Sequence, residues 1–456
     1  MINDNRNYDL NEYKRNRKNE KESSKVRIQI LQKIFIGLLC TSLMLALVLI
    51  GTILGKKTSS DPNKPLINLN RTTEGSYESM ETVATPTPTV PFTIQESLPI
   101  NQVADAYWGA LVPAENPVEY EHFETRGLYI GPAAFLDENI ELANNSEINT
   151  FVIDLKESGG VYFNSTNEIA RQVGYCWEEY NLDEVVSRCH ENNIRVIGRI
   201  VCFKDPRLAE TFPDRAICDS IGNMLFFPTE GSNAFASPYD PRNWDYYISL
   251  AEEAIQHGVD EIQFDYVRFP TGDTTTGNSP YFGIAEEVPS KSDAINRFLQ
   301  TARIRIQDTL GVPVGADIFG IAVTSSLDGN ILGQNWETVG MTGVDSLCPM
   351  IYPSHYALGT MLNGAVYAKP DLEPYAMMYG VLMNGRQYSD QEGYSTVRPY
   401  IQAFTASYIG AGNYMEYDYD AINAQIRGLQ DAGFSEYILW NAGAQYPAGN
   451  YGGNND

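Results

Sequence analysis

Between residues 126 and 441 short apolar runs alternate with longer amphipathic ones, and few folds accommodate that rhythm. The apolar runs are Arg126–Ile130, Thr150–Lys156, Arg195–Phe203, Asp260–Pro270, Val312–Phe319, Ser346–Tyr352, Tyr400–Phe404 and Glu436–Asn441. Helices are predicted between them at Asp137–Asn144, Asp183–Asn192, Asp240–His257, Ser290–Thr309, Ile331–Val339 and Glu373–Arg386, with a last one at Tyr419–Ala432. Eight strands alternating with helices are the count of a (β/α)8 TIM barrel, an α/β fold here assigned to residues 119–450. The competitor is an open doubly wound sheet, which carries a glycine-rich phosphate turn after its first strand. Gly131-Pro132-Ala133-Ala134 is not such a turn.

Three segments precede the barrel. Residues 1–33 are polar, basic and without apolar period, and read as a cytoplasmic tail. Ile34–Leu54 is uncharged for twenty-one residues and closed by Lys56-Lys57, long enough for one transmembrane helix. Its flanks fit a signal anchor better than a cleaved signal peptide. Nine Lys and Arg precede it, so the amino terminus is expected in the cytoplasm and the remainder outside the cell membrane. Residues 55–118 read as a flexible linker, with Thr82–Pro91 as a semi-stiff Thr/Pro spacer.

Charge and side-chain inventory exclude several functions. The formal charge is −26, and residues 1–57 carry +6, leaving −32 for the rest. So acidic a surface repels phosphate backbones, so no nucleic-acid partner is expected. Six cysteines lack a CxxC pair and four histidines lack ligand spacing, so neither a metal site nor any cofactor is expected. No GxSxG turn and no GxxxxGK[ST] loop occurs.

In a barrel, polar residues at the carboxyl ends of the strands mark the site. The second strand ends in Asp154, Lys156 and Glu157, the fourth in Asp265 with Arg268 nearby, and the fifth in Asp317. The sixth ends in Tyr352 followed by His355, the seventh in Gln402, and the eighth in Trp440 and Asn441. Alternation along Asp260–Pro270 puts Ile262, Phe264 and Tyr266 on one side and Gln263 with Asp265 on the other. Asp265 and Asp317 lie at matching depth on neighbouring strands, which sets their carboxyls roughly 5–7 Å apart, the range of glycosidase pairs. Arg268 is expected to hold Asp265 ionised. Asp154 with Lys156 reads equally well as an ion pair closing the barrel top.

The segments RGLYI, INTFVIDLKESGG, RVIGRIVCFKDPRLAE, DEIQFDYVRFP, VGADIFG, CPMIYPSHY, PYIQAF and YILWNAG carry a resemblance. Over residues 124–446 the chain resembles a bacterial glycoside hydrolase family whose (β/α)8 barrel is related to the alpha-amylase-like glycosidase barrels. The resemblance implies action on a polysaccharide and maps the fourth-strand nucleophile of related barrels onto Asp265. Many of those barrels use Glu as the fifth-strand acid, and this chain has Asp317 there. The acid is therefore open between Asp317, Asp154 and Glu157.

Residues and resemblance together predict a membrane-anchored, extracellular glycosidase acting on cell-wall or other extracellular polysaccharide. Asp265 and Asp317 are its expected catalytic residues. Asp154, Lys156, Glu157, Arg268, Tyr352, His355, Gln402, Trp440 and Asn441 are expected to hold the sugar. The rival is a non-catalytic carbohydrate-binding barrel, which would set the carboxyls of Asp265 and Asp317 more than about 10 Å apart, beyond glycosidase separations.

Overall fold

The computed structural model describes residues 101–174, 176–284 and 287–453. The expected span 34–54, the basic tail and most of the linker lie outside these residues. Among the described residues no helix is long and apolar enough to cross a membrane.

Eight parallel strands form the barrel: β1 (Arg126–Gly131), β2 (Thr150–Glu157), β3 (Arg195–Val201), β4 (Glu261–Asp265), β5 (Val314–Phe319), β6 (Ser346–Ile351), β7 (Tyr400–Gln402) and β8 (Tyr437–Trp440). Each pairs with the next, and β1 pairs with β8 through Arg126↔Tyr437, so the sheet closes on itself. Around it run α1 (Leu136–Asn144), α2 (Leu182–Glu191), α3 (Pro241–Gln256), α4 (Lys291–Ala302), α5 (Trp336–Val339), α6 (Pro374–Ser389) and α7 (Tyr419–Asp431). The (β/α)8 expectation holds.

Alternation explains the layers. Leu128, Ile130, Phe151, Ile153, Ile262, Phe264, Ala316, Ile318 and Leu439 point outward and form the main core against the helices. Val152, Ile197, Cys348, Tyr400 and Ile438 point inward and fill the barrel's middle, joined by Tyr129, Tyr352, Phe404 and Trp440 toward the mouth.

Three local predictions are corrected. The helix expected over Ile331–Val339 is broken: Ser326–Leu332 ends at Gly333 with φ 79°, and α5 restarts with Asn335 as its N-cap, accepting from Thr338 N. The helix expected over Ser290–Thr309 is α-helical to Ala302 and continues as a π-helix through Arg303–Asp308. The fourth strand stops at Asp265 rather than Pro270, because Tyr266 turns to φ 51°, a left-handed conformation costly for a bulky side chain.

A charged layer closes the lower, amino-terminal end of the barrel. Arg398, fully buried, donates to Glu261 at 2.5 Å and Glu436 at 2.7 Å, and lies 3.8 Å from Asp345. His122, before β1, bridges Glu436 at 2.6 Å and Asp345 at 3.0 Å. Gly315 makes room for this layer, since a Cβ there would lie 2.7 Å from Ser346 Oγ and 3.3 Å from Glu261 Oε1.

Candidate active site

At the opposite end the barrel gathers carboxylates around Arg199 of β3. Parity carries this arginine inward, two residues beyond Ile197. Its Nη1 donates to Asp154 Oδ1 at 2.5 Å and Glu157 Oε1 at 2.8 Å. Its Nε and Nη2 both donate to Asp265 Oδ2, at 3.0 and 2.5 Å. The other oxygen of Asp265 accepts the Tyr266 N–H at 2.5 Å, a bond that the left-handed turn at Tyr266 makes reachable. Asp265 thus accepts three N–H donors, the pattern that suits an anion.

Asp317, on the neighbouring strand, is as buried but differs in its partners. Its side chain is fully buried, and neither oxygen has a hydrogen-bond partner among the described residues. Arg199 Nε lies 3.8 Å from Asp317 Oδ2 and 3.0 Å from Asp265 Oδ2, so those two oxygens are at most 6.8 Å apart, the sum of the two distances. Burial first, then the negative charge of Asp265, pushes the Asp317 carboxyl well above the usual range, and it holds its proton.

Asp154 is intermediate. Burial raises it to about 6 against the pull of Arg199, and Tyr129 donates its phenol to Asp154 Oδ2 at 2.6 Å. Glu157 moves the other way: burial opposes its charge, but Arg199 outweighs burial and lowers it. Trp440 closes one side, lying at 28° and 6.0 Å from Tyr129 and at 31° and 5.6 Å from Tyr352, with Phe404 edge-on at 5.3 Å. Flat rings beside carboxylates suit a sugar, whose C–H faces are apolar and whose hydroxyls are not.

The structure therefore brings together Asp154, Glu157, Asp265, Asp317, Tyr352 and Trp440 among the expected residues. Others go elsewhere. Lys156 does not pair with Asp154: a register slip between the two turns its side chain outward, where it donates to Val201 O at 2.8 Å and pairs with Asp205 at 2.8 Å. The clamp on Asp265 is Arg199, whereas Arg268 donates to Phe269 O and lies over the rings of Phe319 and Tyr266 at 4.5 and 4.9 Å. Gln402 is buried and bonded to Ser354, Asp371 and Phe404 O, holding the loops after β6 and β7. Asn441 is tied into the turn after β8 through Ala403 O, Gln445 O and Gly443 N. His355 is exposed, its ring edge against Tyr352. Arg199 is absent from the expected set. The alternation of RVIGRIV places Arg199 inward, but its mid-strand position hides it from a search for strand ends.

Fold and mouth define the class, a (β/α)8 barrel with clustered carboxylates and an aromatic wall at its carboxyl end. The chain belongs to the family described as "Putative glycosyl hydrolase domain", which matches residues 126–446, from the first residue of β1 to just past β8. It is a glycosidase by family. Among solved structures it is similar to a hypothetical protein from Ruminiclostridium thermocellum, 35% identical over 42% of this chain and 96% of that one, with a TM-score of 0.37. It is also similar to the PgaB (BpsB) glycoside hydrolase domain from Bordetella bronchiseptica, 13% identical over 71% of this chain and 95% of that one, with a TM-score of 0.50. The second likeness is one of fold. A search of curated proteins finds no match to the chain.

Proposed function

We propose that this barrel hydrolyses a glycosidic bond in a cell-wall or other extracellular polysaccharide, with Asp265 as nucleophile and Asp317 as acid. The observation that carries the reading is the contrast within one pair. Asp265 accepts three N–H donors, while Asp317, at most 6.8 Å away between Oδ2 atoms, is buried and has no hydrogen bond among the described residues. A carboxylate gripped by N–H donors beside a buried acid that burial pushes upward is the pattern of nucleophile and acid. The bound reaches the ~5–5.5 Å of retaining enzymes and falls below most of the ~6.5–9.5 Å of inverting ones. It is also shorter than a non-catalytic barrel was expected to show.

In this reading Asp265 attacks the anomeric carbon and forms a glycosyl ester, while Asp317 gives its proton to the departing oxygen. Asp317, now ionised, takes a proton from water, whose oxygen attacks the anomeric carbon and releases Asp265. Tyr129, Tyr352 and Trp440 flank the ring, and Glu157 meets its hydroxyls. The span 34–54 would anchor the chain in the cell membrane with the barrel outside, a proposal that rests on hydropathy and flanking charge.

The test is a screen of the full chain on wall and storage glycans, followed by Asp265→Asn and Asp317→Asn on the glycan that is cleaved. Asp265→Asn should lose at least about 10³-fold in kcat, as for removal of a nucleophile. Asp317→Asn should recover on aryl glycosides whose leaving group needs no proton. An undiminished rate in Asp265→Asn sinks the assignment.

A further inference from the structure

We propose that Arg199 is a positioning residue that couples Glu157, the most exposed carboxylate of the mouth, to Asp265. The inference rests on the reading that Asp265 attacks the sugar. Side-chain exposure is 25% for Glu157 against 3% for Asp154, 4% for Asp265 and 0% for Asp317. Substrate arriving from solvent therefore meets Glu157 before it meets Asp265. Glu157 and Asp154 share one end of the guanidinium, Nη1, while Nε and Nη2 grip Asp265 Oδ2 from the other. A guanidinium is planar and rigid, so a pull at Nη1 moves the other two nitrogens with it. When a sugar hydroxyl takes over Glu157, Nη1 is left to Asp154 and the plane resettles on Asp265. Recognition at the rim thereby adjusts the nucleophile without touching it.

The groups around this unit are few. Arg199 faces Tyr129, Asp154 and Glu157 on one side and Asp265 with Asp317 on the other. Asp265 is also felt by Cys202 beyond β3 and Tyr352 beyond β6, and Glu157 by Tyr162 and Lys156.

A double-mutant cycle on the full chain separates this coupling from simple charge removal. Glu157→Gln should move the acid limb of the kcat/KM–pH profile down by about one pH unit, the size of one charge-assisted hydrogen bond. In an Arg199→Lys background the same substitution should move it little, because an ammonium cannot bridge both groups. An equal shift in both backgrounds means a through-space charge effect and overturns the proposal. The cycle is repeated without substrate by titrating the side-chain carboxyl ¹³C resonance of Asp265, so it reads out even if no glycan is cleaved. Hydrolysis without coupling sinks this proposal alone, whereas coupling without hydrolysis sinks the catalytic reading alone. A third readout needs no Arg199 variant. The Arg199 Nε–H resonance, at the end facing Asp265, should move in Glu157→Gln, and a stationary resonance overturns the coupling.

Discussion

The two ends of the barrel are both lined with charge, yet they are balanced differently. At the lower end three carboxylates, Glu261, Asp345 and Glu436, meet two cations, Arg398 and His122, and each carboxylate has a hydrogen bond. At the mouth four carboxylates, Asp154, Glu157, Asp265 and Asp317, surround the one guanidinium that reaches them among the described residues. The lower end is nearly neutralised and acts as a lock. The mouth has more carboxylates than its arginine can satisfy, and Asp317 relieves the excess by keeping a proton. A surplus that folding alone would not favour is what acid chemistry requires.

The largest expected effect falls on the lock. Arg398→Met would leave the buried Glu261 to the Ser346 hydroxyl, and Glu436 and Asp345 to His122 with the Thr125 N–H and the Tyr120 phenol. Breaking a buried pair by removing one side costs about 3–5 kcal/mol. Denaturant unfolding of the full chain measures it. A loss below about 1 kcal/mol would mean that the lower end is as loosely held as the mouth, and the contrast would collapse.

The next prediction has the opposite sign. Asp317→Asn removes an acid whose proton affinity is raised by folding, while keeping the shape of the side chain. Above the unfolded carboxyl value of about 3.9 the unfolded chain ionises and the folded one does not, so the wild type loses stability as pH rises toward the folded value. The amide does not titrate. The variant should therefore be more stable than the wild type at pH 7, and the gain should vanish near pH 4, where both states of the wild type hold the proton. Activity should fall at the same time. A less stable Asp317→Asn at pH 7 would show that this carboxyl is part of a lock after all.

Much of this was legible beforehand, and the failures have physical causes. Strand count and parity are written in the alternation, which is why Asp265 and Asp317 could be paired and why Ile262 and Phe264 do face the helices. Parity fails where the backbone slips: the irregularity between Asp154 and Lys156 sends the lysine outward, and alternation contains no trace of it. Arg199 escaped because it lies within a strand rather than at its end. Gln402 and Asn441 stand at the expected height, but loop carbonyls and hydroxyls compete for them, a competition that depends on tertiary neighbours.

The smallest effect, and the finest probe of the contrast, lies at His122. Burial works against its charge, but Asp345 and Glu436 outweigh burial and raise it to about 10. A histidine raised on folding stabilises fully below its unfolded value near 6.5, and the contribution is lost as pH rises through about 10. Lower-end stability should thus decline over that alkaline window, whereas the contribution of Asp317 should begin to decline near pH 4, as the unfolded carboxyl ionises. Replacing His122 with Gln should flatten the alkaline limb of the unfolding curve and leave the acid limb, set by the mouth, where it was. If His122→Gln moved both limbs equally, the two ends would titrate as one network through the barrel. Gln263, which accepts from Tyr400 at 2.5 Å and donates to Cys348 at 2.9 Å between the two layers, would then be the link to remove next.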